Sequence, residues 1–76
     1  MGGWKGSWMI TFKQAIIDAL EKKYEAQRSK AEANIKVYME NPVGVGDHID
    51  IVETVDKEMQ KISKANEMLE ELSNWR

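Results

Sequence analysis

The sequence has no cysteine, one histidine and one proline in 76 residues. Without cysteine there is no disulfide and no thiolate metal site, a usage that fits a reducing compartment. A single histidine, His48, rules out a histidine-rich metal centre within one chain. No apolar run approaches the ~20 residues that span a bilayer. The first residues lack the apolar core of a signal peptide. Neither sign of charge dominates: charged residues make up 32% of the chain and the net charge is -2, unlike the strongly basic footprint of a nucleic-acid binder. These absences lead us to expect a soluble intracellular protein of one domain. Below ~80 residues a lone core gives little stability. With disulfides and metal excluded, self-association is the remaining support, so a homo-oligomer is expected, a dimer first.

What is present is organised around Asn41 to His48. This stretch holds the only proline and two of the five glycines. Pro42 disfavours helical geometry at Asn41 and cannot continue the hydrogen-bond ladder. Gly44 and Gly46 supply the backbone freedom for a reversal, with Val43 and Val45 against its tip. Before it, Thr11-Phe12-Lys13-Gln14 has the form of a capping box. From Phe12 to about Glu40 the chain is rich in Ala, Lys, Glu and Gln, without Gly or Pro. Ile17, Leu20, Tyr24, Gln27, Ala31, Asn34 and Tyr38 alternate three and four apart, a heptad seam. Beyond the bend, Asp47 is the expected N-cap of a helix from about His48 to Ser73, with Asp50, Glu53 and Asp56 complementing its dipole. Its seam is read as Val52, Val55, Met59, Ile62, Asn66 and Leu69, flanked by Ile51, Ala65, Leu72 and Trp75. Met39 and Met59 are read as core filler. The fold class expected is therefore all-α, an antiparallel two-helix hairpin over about 12–40 and 48–73. Residues 1–10 form an irregular Trp/Gly-rich tail, and 11–76 the hairpin with its turn at 41–47.

Charge supports folding back. Residues 1–41 carry seven Lys/Arg against five Asp/Glu, net +2, whereas residues 42–76 carry four against eight, net -4. A hairpin turning near 44–45 pairs positions whose numbers sum to about 89–90. Tyr38 then meets Val52, Ala31 meets Met59, Tyr24 meets Asn66 and Leu20 meets Leu69. The same geometry brings both termini to one end and gathers Trp4, Trp8, Phe12 and Trp75 there. These four are the candidate partner-binding residues, because exposed aromatics are the usual anchors of protein interfaces. The apolar stripe is wider than one partner helix covers, so two hairpins are expected to form a four-helix bundle.

No catalytic constellation emerges. Asp47, His48, Asp50 and Glu53 set a histidine among carboxylates, but capping and dipole compensation explain the acids. Gly44-Val45-Gly46 before a helix lacks the preceding strand and following Lys-Ser/Thr of a phosphate loop. No catalytic, cofactor-binding or metal residue is assigned, and an enzyme is not expected. Lys22, Lys23, Arg28, Lys30 and Lys36 give the first helix a basic character. Asp18–Lys22, Glu32–Lys36 and Lys36–Glu40 are opposite charges at i,i+4, the mark of a solvated helix face. A dimeric helical nucleic-acid-binding regulator using this helix is the alternative function.

The block AEANIKVYMENPVGVGDHIDIVE, within Lys30 to Asp56, resembles small helical-hairpin proteins of marine tailed bacteriophages, including those of cyanobacteria. The resemblance extends over roughly Lys22 to Leu72 and does not include Met1 to Trp8. It carries no activity or site residues. It implies a viral origin, expression in the cytoplasm of an infected bacterial host, and a role in binding a host protein or in virion assembly.

Overall fold

A computed structural model of the chain describes residues 11–40 and 50–76. Trp4, Trp8, Met9 and the expected turn and cap at 41–47 with His48 lie outside the described residues. Two helices make up the described part: α1, Thr11–Glu40, and α2, Ile51–Ser73. They pack against each other as an antiparallel hairpin, the all-α class expected. Cross-helix neighbours keep the anticipated register. Ile17 shares a groove with Leu72, Leu20 with Met68, and Tyr38 with Ile51.

α1 runs for 30 residues with no glycine or proline to interrupt it. α2 starts where a cap and an acid coincide. Asp50 has extended backbone angles (φ -75°, ψ 99°), and its Oδ1 accepts from the Glu53 backbone N–H at 3.1 Å. Asp50 thus satisfies one of the four orphan amides of the first turn. The expected cap at Asp47 with a start at His48 is corrected to a cap at Asp50 with a start at Ile51. The sequence Asp50-Ile51-Val52-Glu53 explains the difference: the cap and its acidic partner three residues on directly precede the apolar period. At the other end the Asn74 N–H donates to the Glu71 carbonyl and the Trp75 N–H to the Leu72 carbonyl, each at 3.0 Å, closing the helix in a turn.

The seam of α1 lies where its spacing indicates, along Ile17, Leu20, Tyr24, Ala31, Asn34 and Tyr38, all buried or half-buried; Gln27 is exposed and Arg28 takes part of its place. The seam of α2 is turned by one residue from expectation. Ile51, Val55, Glu58, Ile62, Ala65, Leu69 and Leu72 face α1, while Val52, Met59 and Asn66 face out. Val52 is 80% exposed, and Met39 and Met59 are exposed rather than core filler. Packing accounts for this phase. Ala65 is 0% exposed and Ala31 1%; small side chains at these layers let the two backbones approach closely. The alternative phase would bury the Asn66 amide at the layer Ala65 occupies and lift Leu72 off the seam. Ile17 and Leu72 are the larger buried side chains, each contributing about 1.5–3 kcal/mol.

This phase carries a cost at Glu58, which is only 7% exposed. Its Oε1 accepts from Asn34 Nδ2 at 3.3 Å and Lys61 Nζ at 3.1 Å, while Oε2 is buried without a partner. The expected meeting of Tyr24 with Asn66 across the seam is replaced: Asn66 turns outward and its Oδ1 accepts from Arg28 Nη1 at 2.9 Å. The expected i,i+4 ion pairs of α1 do not close. Asp18 instead meets Arg76 across the open end at 3.9 Å, and Arg76 also pairs with Glu21.

Candidate interaction surfaces

The hairpin is a two-helix ribbon, so every residue beside the seam falls on one of two broad faces. The residue after each seam position turns to one side, and the residue before it or three after it turns to the other. In α1 the first rule selects Asp18, Glu25, Glu32 and Met39. In α2 it selects Val52, Met59 and Asn66. Because the helices are antiparallel, these flanks lie on one common face. Met39, Val52, Val55 and Met59 accordingly line one groove of about 500 Å³. This acid face is apolar at the Glu40/Ile51 end and carboxylate-bearing toward the open end.

The second rule selects Ile16, Leu20, Lys23, Lys30, Asn34 and Val37 in α1. In α2 it selects Lys57, Lys61, Lys64, Met68, Glu71 and Trp75. Among the described residues several grooves open on this lysine face. At the open end Ile16, Leu20, Met68, Leu72 and Trp75 line one of about 510 Å³. Midway along, Lys30, Lys61 and Lys64 converge with Gln27, Asn34 and Glu58 on another of about 350 Å³. The two faces therefore carry opposite charge, with their apolar ends at opposite ends of the ribbon.

Of the four anchors read from the sequence, Trp4 and Trp8 lie outside the described residues. Trp75 is 61% exposed and lines the open-end groove, its indole N–H donating to Glu71 Oε2 at 3.0 Å. Phe12 is exposed but is not among the residues lining that groove. The structure adds Ile16, Met68, Val52 and Met59, which the sequence reading assigned to the seam or left aside. A one-residue change of phase on α2 was enough to hide Val52 and Met59 from that reading.

Among the described residues no cluster of three or more His, Cys, Asp or Glu side chains is placed to hold a metal ion. No helix among them is long and apolar enough to cross a membrane. No family model, curated protein or solved structure matches the chain.

Proposed function

We propose that the chain is a non-enzymatic hairpin that self-associates, a dimer first, and acts by protein–protein contact. One observation carries this reading. Among the described residues the hairpin buries few apolar side chains, Ile17, Ala31, Ala65 and Leu72, and no large one completely, while Ile16, Val37, Met39, Val52, Met59 and Trp75 stay exposed. A domain this small gains most by covering such residues with another polypeptide. The resemblance to phage hairpins supports such a partner role in an infected bacterial cell, as a binder of a host protein or an assembly accessory. Sedimentation of the full chain across micromolar concentrations tests the self-association, with a rise in mass above 8.8 kDa expected. A folded monomer throughout overturns it. Capture from host lysate, with Trp75→Ala as the control that loses the partner, tests the second contact.

The convergence of Lys30, Lys61 and Lys64 favours one other reading, a nucleic-acid-binding regulator drawing on both helices rather than the first alone. Its mark is RNA or DNA binding at physiological salt that falls steeply as salt rises.

A further inference from the structure

We infer that the lysine face of one copy docks on the acid face of another, with the long axes reversed, so that the contact is head-to-tail rather than two-fold. This rests on the self-association proposed above and specifies its geometry. The occupant follows from charge. Packing two lysine faces together would set Lys30, Lys57, Lys61 and Lys64 against their own copies. Packing two acid faces would do the same with Glu25 and Glu32. Only the unlike pairing brings opposite charges together.

Two cations offset part of the acid face and leave Glu25 and Glu32 uncompensated. Arg28 is directed to Asn66, and Arg76 is held by Glu21 and Asp18. Among the described residues Glu25 and Glu32 enter no ion pair, and neither do Lys30 and Lys64.

Apolar placement sets the direction. The lysine face is apolar at the open end, around Ile16, Leu20 and Met68; the acid face is apolar at the Glu40/Ile51 end, around Val52, Val55 and Met59. Stacked in the same direction, the open-end groove meets Asp18, and the groove around Val52 and Met59 meets Lys57 beside Val37. Stacked in reverse, the grooves meet each other and α2 of one copy overlies α1 of the next. The spacing agrees, since Met68 to Lys61 along α2 and Met39 to Glu32 along α1 are equal intervals, each a rise of roughly 10 Å. The lysines of α2 then lie over Glu25 and Glu32. Each added copy still offers one open face, so association continues past two.

The test uses the full chain and two variants, Lys57→Glu/Lys64→Glu and Glu25→Lys/Glu32→Lys, at exposed positions, with helicity checked by circular dichroism. Sedimentation of the wild type is expected to pass the mass of a dimer as concentration rises and to weaken with salt. Each variant alone is expected to associate about tenfold or more less tightly, and an equimolar mixture to regain association. Val52→Asp, at a position 80% exposed, gives an independent check and is expected to weaken association without loss of helix. Self-association of Glu25→Lys/Glu32→Lys at wild-type strength overturns the head-to-tail contact but leaves self-association standing. A wild type that stays monomeric, including one whose lysine face is taken by nucleic acid or by residues 1–10, overturns both.

Discussion

Asn34 Nδ2 donates to Glu58 Oε1 at 3.3 Å across the seam between α1 and α2, and Lys61 holds the same oxygen from the rim. This is the one charged group that the hairpin encloses among the described residues. It sits at a layer where its α1 neighbour, Ala31, is too small to fill the seam alone. The pair ties one level of α1 to one level of α2, in the way a polar residue at a seam position fixes register at a cost in stability.

Glu58→Leu is therefore expected to stabilise the hairpin. The carboxylate leaves water for two hydrogen bonds and keeps one oxygen unsatisfied, whereas leucine continues the apolar line of Val55 and Ile62. The expected gain is about 1–2 kcal/mol, within the range for replacing buried ionic groups by apolar ones. In a domain of this size each kcal/mol is a rise of about 4–8 °C in Tm. Thermal melts at fixed protein concentration measure it, because association also shifts Tm. A lower midpoint would show that the polar pair stabilises the fold outright.

Ala65 and Ala31 are the most fully buried residues of the seam, so enlarging either should open it. Ala65→Leu is expected to cost about 1–3 kcal/mol, the usual penalty for overpacking. Ala33→Leu, on the exposed surface of α1, should stay within about 0.5 kcal/mol. Urea unfolding followed by circular dichroism compares the two, and equal effects would remove Ala65 from the contact.

The helices, their antiparallel register and the seam of α1 were legible in the sequence because composition and period agree there. The seam of α2 was not, because two phases differing by one residue share Val55, Ile62 and Leu69. Hydrophobicity alone favours the phase with Val52 and Met59 inside and Glu58 outside. Close approach at Ala31 and Ala65 overrides that preference, and a pattern of apolar residues does not register how near two backbones come. The same slip concealed the opposed faces. With α2 turned by one residue, its lysines do not line up beside Lys30, nor do Val52 and Met59 line up beside Met39. The shift of the cap from Asp47 to Asp50 has a simpler cause, since both acids precede the helix and only local geometry chooses between them.

Asp50 is expected to behave as a cap in substitution. Asp50→Ala removes the acceptor of the Glu53 amide and should cost about 1 kcal/mol, whereas Asp50→Ser keeps an oxygen in place and should lose much less. Denaturation of the two variants under matched conditions distinguishes them. Equal losses would mean that the charge of Asp50 matters through the helix dipole more than through its hydrogen bond.

Among the described residues an ion-pair cluster and an apolar layer close the open end, and they should differ widely in weight. Arg76 pairs with Glu21 and Asp18 on the surface, where all three side chains keep contact with water. Such pairs contribute about 0–1 kcal/mol and are screened by salt. Leu72, 6% exposed, fills the seam beside Ile17, and truncating a buried leucine costs about 2–5 kcal/mol. A ribbon of two helices relaxes more readily than a deep core, so the lower part of that range is expected for Leu72→Ala. Arg76→Ala should lower Tm by a few degrees at most, and by less in high salt. Amide exchange separates the two further. Loss of Arg76 should speed exchange only in the last turn of α2, whereas loss of Leu72 should also unprotect the first turns of α1. If both variants frayed α1 equally, the ion pairs rather than the apolar layer would be what holds the two chain ends together.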